Sequence, residues 1–142
     1  MLLSVARIVT GTAALTAAMT LSAGLAATAD AAPGGYGSLA VSRLRNAAVA
    51  GVDTNKVTAD AAAIRDCASY DCEIVLRFTD GCGAVAQGAD GAWGWAVGAS
   101  LDEAQQNAIS ELGQSAPPFP DLGSAQPVAA HVVTSACTRN VQ

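Results

Sequence analysis

CEIVLRFTDGCGAVAQGADGAWGWAVG, Cys72 to Gly98, holds the pattern that decides the fold. Ile74, Leu76 and Phe78 alternate with Glu73, Val75 and Arg77, the period-two signature of a strand with one apolar face. Asp80-Gly81 interrupts that run, and a second short apolar run follows from Cys82. Gly88 to Gly91 has turn character. Beyond it, Trp93, Trp95 and Val97 share one face of a further strand, with Gly94, Ala96 and Gly98 on the other. Small residues on that second face let a helix or another backbone approach closely. Gly81, Gly83 and Ala86 also spell G-x-G-x-x-A, the outline of a dinucleotide-binding turn. Such a turn works by opening a helix whose N-terminus faces the pyrophosphate. The Gln87–Gly91 run cannot open one, and Asp102 and Glu103, near the spacing of a ribose-binding acid, sit in a helix cap. No cofactor is expected.

The stretch is a seam between two similar units, which an internal comparison brings out. YGSLAVS at Tyr36 lies over CGAVAQG at Cys82, and AAVAGVD at Ala47 lies over WGWAVGA at Trp93, both at an offset of 46. Thr54–Cys67 then lies over Ser100–Gly113, and CEIVLRFTDGCG from Cys72 over PVAAHVVTSACT from Pro127 after nine extra residues. The units run from 36 to 83 and from 82 to 138, and each reads strand, strand, helix, strand. Val57, Ala61 and Ile64 fall on one side of the first helix, and Leu101, Ala104, Ala108 and Leu112 on one side of the second. Ser100 with Glu103 forms a capping box. The expectation is an α+β domain: an antiparallel sheet built from the two pseudo-repeats, with both helices packed on one face and disulfides as staples. Gly113–Pro127 reads as an irregular Pro-rich loop with a P-x-x-P match at Pro117 and Pro120.

The repeat also bears on the four cysteines, Cys67, Cys72, Cys82 and Cys137. Their spacing, with a single histidine in the chain, suits no metal site, and an even count in an exported chain reads as disulfides. Cys67 and Cys72 align with Gly113 and Pro127 and are missing from the second unit together, whereas Cys82 aligns with Cys137. The expected pairs are therefore Cys67–Cys72 and Cys82–Cys137, the second joining the two units. Loop-closure entropy assigns it about 4 kcal/mol, and roughly 2 kcal/mol to the short one.

Export itself is read from the N-terminus. A positive start up to Arg7, an uncharged Ala-, Leu- and Thr-rich run from Ile8 to Ala27, and Ala29-Asp30-Ala31 make a secretory signal peptide over residues 1–31, with Ala27-Thr28-Ala29 as an alternative cleavage site. Residues 32–142 then form a single secreted domain that no longer touches a membrane. Arg7 and Asp30 leave together, so the net charge stays at −5. One lysine and scattered arginines exclude the basic footprint of a nucleic-acid binder.

Candidate sites are few. Trp93 and Trp95, the chain's two tryptophans, are either core or an aromatic platform for a protein or glycan partner. Their repeat equivalents, Ala47 and Val49, argue for a buried face. His131 lies in an apolar strand and could be joined on paper to Ser42 or Ser135 and an aspartate, but no nucleophile elbow accompanies it. Cys82 has neither a cation nor a histidine at a diagnostic spacing. No catalytic, cofactor or metal residue is assigned.

YGSLAVS, CASYDCEIVLRFTDGCGAVAQGADGAWGWAVG, SLDEAQQNAISEL and the terminal VVTSAC together resemble the domain of unknown function 4189, a family found mainly in small secreted actinobacterial proteins. The match covers Tyr36 to Thr138, and its most specific pieces are C-x4-C before the alternating strand and the GCGAVA after it. Many relatives carry a further cysteine pair in the second half; this chain resembles the four-cysteine type. NAAVAGVD is plainer than the aromatic-Gly-aromatic that relatives often carry there. The resemblance implies a signal peptide and a compact disulfide-stabilised domain, and it brings no catalytic residues; some relatives are discussed as secreted factors meeting host cells. The expected function is a non-enzymatic interaction module outside the cell, host- or envelope-facing, with a protein or glycan partner. The alternatives are a small secreted hydrolase using His131 near the Arg77–Cys82 strand end, and a protease-inhibitor-like domain presenting the 113–127 loop.

Overall fold

A computed structural model describes residues 34–118 and 126–142. The signal peptide read at 1–31 lies outside the described residues, as do Pro120 and the middle of the 113–127 loop. The first unit forms β1 (Tyr36–Ser42), β2 (Ala47–Asp53), α1 (Lys56–Cys67) and β3 (Glu73–Thr79). The second forms β4 (Cys82–Gln87), β5 (Trp93–Gly98), α2 (Leu101–Leu112) and, after the short strands β6 (Gln114–Ser115) and β7 (Val128–Ala129), β8 (His131–Cys137).

Among the described residues the architecture is α+β with antiparallel pairing, two helices and two disulfides, as the pattern implies. It is distributed over two three-stranded sheets, ordered β2-β1-β3 and β5-β4-β8, so each helix lies on one face of its own sheet. The reason is visible on the central strands. Leu39 and Val41 of β1 meet Phe78 of β3 and Val85 of β4 in one core between the sheets. Ala40 turns the other way, onto Ala63 and Cys67 of α1. Cys82, Ala84 and Ala86 turn onto Ala104 and Ala108 of α2. Every residue of β4 is buried, so this strand has no solvent face, and the layers run α1, sheet, sheet, α2. Phe78 is seated between the sheets because Gly37 and Gly83 leave room for its ring: a β-carbon on Gly83 would stand 2.6 Å from the ring.

The two halves repeat in three dimensions. Side-chain caps open both helices, from Asn55 to the Val57 amide and from Ser100 to the Glu103 amide. Glu103 reaches back to the Ala99 amide at 3.0 Å and completes the second cap. Ala59 and Ala63 in α1 match Ala104 and Ala108 in α2, all fully buried. The ladder to the third strand shifts register between Leu39 and Ala40 in one sheet and between Val85 and Ala86 in the other, which are equivalent points.

Three details of the sequence comparison change. Val41 pairs with Ala48 while Gln87 pairs with Trp93, so the second hairpin is one residue shorter. The tryptophans therefore correspond to Ala48 and Ala50, which face the second sheet, and not to Ala47 and Val49. A one-residue slip reverses the face of every side chain. The Val57–Ala61–Ile64 side of α1 points outward, with Val57 73% and Ile64 40% exposed. The packed side is Ala59, Ala63 and Cys67, because α1 lies so close to β2 that a β-carbon on Gly51 would stand 2.6 Å from the Ala63 amide nitrogen. Finally, Cys82 pairs with Cys137 across neighbouring strands of the second sheet, where the first sheet pairs Tyr36 with Thr79. That bridge lies within the second unit and does not join the two. Cys67–Cys72 ties the end of α1 to the start of β3, and its place in the second unit is taken by apolar contacts of Ala130 and Leu112.

Candidate functional site

Among the described residues, strand β5 is an edge: only β4 flanks it in its sheet. Gly94 and Gly98 let α2 press on its outer face; a β-carbon on Gly94 would stand 2.8 Å from Leu112. Trp93, Trp95 and Val97 face the other sheet, as their spacing implies. They are neither wholly core nor a bare platform. Both tryptophans pack on the inter-sheet core beside Leu39, Phe78 and Val85 and remain partly exposed, and Val97 is 49% exposed. Trp95 and Val97 line an open groove of about 660 Å³ with Leu76 of β3 and the exposed Asn107, Ser110 and Glu111 of α2. This volume falls within the range of about 300–1,000 Å³ common for ligand sites. The Asn107 side chain donates to the Val97 carbonyl at 3.0 Å, so that carbonyl points away from β4, out of the sheet edge.

A second groove, of about 560 Å³, runs along the strand ends past Arg77, Asp80, Cys82, Gly98 and Glu103. Its charged groups are committed to the fold. Arg77 pairs with Asp60 at 3.0 Å, Glu103 caps α2, and Asp80 accepts from the Gly35 amide at 2.9 Å and from Asn140 at 2.6 Å. Asp80 adopts a left-handed conformation, φ 49°, to make that corner.

The shifted carboxylates belong to fold anchors too. Asp71 accepts from the Leu44 amide at 2.8 Å and from the hydroxyls of Ser42 and Ser69, and these bonds hold its pKa well below the usual carboxylate range. They lock the β1–β2 hairpin onto the turn that carries Cys67–Cys72. Arg45 secures the same corner by donating to the Cys67 and Ala68 carbonyls, both at 3.2 Å, at the C-terminal end of α1. For Asp60, burial raises the pKa, but hydrogen bonds from Ser38 and Arg77 outweigh it and the net shift is downward. Networks of this kind perturb a pKa as effectively as an active site does.

The structure does not bring the hydrolase residues together. His131 starts β8 opposite Gln87, and Cys137 ends it opposite Cys82. The facing strand takes five steps from Cys82 to Gln87, about 17 Å at 3.3 Å per residue. His131 thus lies at the far end of the sheet from the Arg77–Cys82 corner. Ser42 is bound to Asp71, and Ser135 accepts from Gln105 at 2.8 Å. Both ends of the 113–127 loop are held by the β6–β7 ladder. Among the described residues, no group of three or more His, Cys, Asp or Glu could hold a metal ion, and no helix is long and apolar enough to cross a membrane.

The family profile of the domain of unknown function DUF4189 matches residues 36–137. The chain belongs to the DUF4189 family. The match begins where β1 begins and ends where β8 ends, so the DUF4189 unit is the whole two-sheet sandwich, with both disulfides inside it. No curated protein and no solved structure matches the chain.

Proposed function

We propose that this DUF4189 domain is an exported binding module that acts outside the cell without a catalytic step of its own. The observation that carries the reading is that all four cysteines stand in disulfides. Disulfides persist in oxidising compartments and are rare in the cytosol. The signal-peptide pattern of residues 1–31 supports the same location. The absence of catalysis is inferred from where the polar side chains are spent: Asp60, Asp71, Asp80, Arg45, Arg77 and Glu103 all anchor backbone or neighbouring elements. What stays open is a surface, the Trp95 groove, which suits recognition of a protein or glycan. An actinobacterial source and an envelope- or host-facing role fit the resemblance to small secreted relatives.

The test is expression of the full chain with a C-terminal tag in a secreting bacterium. The expected product is exported, starts at Ala32 and resists alkylation until reduced. Generic esterase and peptidase substrates stay intact. Retention in the cell with free thiols, or turnover that His131→Ala abolishes, would overturn the proposal.

A further inference from the structure

Strand edges left bare recruit other strands, and proteins guard them with charges, prolines or bulges. Trp93–Gly98 has none of these guards. By contrast, β3 carries Glu73 and Arg77, and β8 begins with His131 and has a register shift. In an antiparallel ladder, alternate residues point their amide and carbonyl away from the partner strand. The Val97 carbonyl points outward to Asn107, so the Val97 amide and both backbone groups of Trp95 share that outward direction. The groove lies along this same edge. We propose that the β5 edge takes up an extended peptide segment as a fourth strand of its sheet, a mode in which backbone hydrogen bonds supply affinity and flanking side chains supply selectivity. This rests on the binding-module reading and names the partner of that surface.

The surroundings fix the chemistry of the peptide. Side chains of an added strand alternate between two faces. One face meets Leu76, Trp95 and Val97 and calls for apolar residues. The other meets α2, whose Glu111 lines the groove and which carries no basic residue, and calls for lysine or arginine. A second copy of this chain is the wrong occupant: antiparallel β5–β5 pairing would set acidic α2 beside its own duplicate. The occupant is a foreign segment in which apolar and basic residues alternate.

The experiment titrates the oxidised mature domain with an alternating Val-Lys octapeptide and with its Val-Glu counterpart, following backbone amides by NMR. The Val-Lys peptide is expected to shift the Trp95 and Val97 amides and to slow their hydrogen exchange about tenfold or more. Val97→Pro removes an outward amide, which an edge strand tolerates, and should abolish binding. Glu111→Lys, on an exposed helix position, should weaken the Val-Lys peptide and improve the Val-Glu one, so the proposal stays testable if Val97→Pro misfolds. Binding that ignores both variants, a preference for Val-Glu in the unaltered domain, or no binding at all overturns the edge proposal. Peptide mass is read at the end: a cleaved peptide sinks the non-catalytic reading, whereas an intact unbound one sinks the edge proposal alone.

Discussion

The seat of Phe78 predicts a coupling that no single-sheet arrangement would produce. Its ring is 6% exposed and lies against Gly37 from its own sheet and Gly83 from the other. Phe78→Ala should cost about 3–5 kcal/mol, the usual range for emptying such a site. Gly83→Ala would place a methyl group 2.6 Å from the ring and 3.2 Å from Leu39, closer than the roughly 3.5–4.0 Å at which carbons attract. Overpacking of this kind costs about 1–3 kcal/mol. Combined with Phe78→Leu, which vacates part of the ring's volume, the Gly83→Ala penalty should shrink by about 1 kcal/mol or more. Urea unfolding followed by tryptophan fluorescence measures each term. At a slope near 2 kcal/mol/M, loss of about 4 kcal/mol moves the midpoint by about 2 M. Strict additivity, within about 0.5 kcal/mol, would show that Gly83 does not touch Phe78 and would refute the face-to-face packing of the sheets.

Other consequences are as direct. Replacing both Cys82 and Cys137 by alanine should cost about 4 kcal/mol by loop-closure entropy, against about 2 kcal/mol for Cys67 with Cys72, because the sequence separations are 55 and 5. Urea midpoints of the two double variants check the order, and equal losses would contradict it. Asp60→Ala leaves the Ser38 hydroxyl, 1% exposed, without its acceptor and should cost about 1–3 kcal/mol by the same assay. Asp71 has a depressed native pKa, so its contribution is present above the ordinary carboxylate range near pH 4 and is lost as pH falls below it. Asp71→Asn should therefore flatten the acid limb of stability against pH while leaving its shape near neutrality unchanged; an unaltered acid limb would remove Asp71 from the anchor.

Much of this was legible in the residues. The small-residue face of Trp93–Gly98 marks a strand whose faces the structure keeps. Alternation in Glu73–Thr79 marks a strand too, but its apolar face is split: the register shift at Val75 turns Ile74 onto Ala40 and α1 while Leu76 and Phe78 face the other sheet. The repeat was legible as an order of elements. Its register was not, because Ala47 and Ala48 are identical in composition and opposite in direction, and only pairing distinguishes them. The buried side of α1 escaped for a related reason. A period-3.6 stripe is sought among large side chains, yet tight packing against Gly51 selects alanine, and Val57 and Ile64 are left outside. The Cys82–Cys137 bond follows from a different cause than the repeat suggests, being a cross-strand pair within one sheet. Of the site, the tryptophans were visible. Their surroundings were not, because Leu76, Asn107, Ser110 and Glu111 meet Trp95 only after two sheets and a helix have packed.

Hydrogen exchange along β5 reads the state of the open edge itself, on which recognition by this surface depends. The amides of Ala96 and Gly98 face β4 and should exchange at least about tenfold more slowly than those of Trp95 and Val97, which face outward. Uniform protection along Trp93–Gly98 would mean that the edge is already covered and is no docking surface.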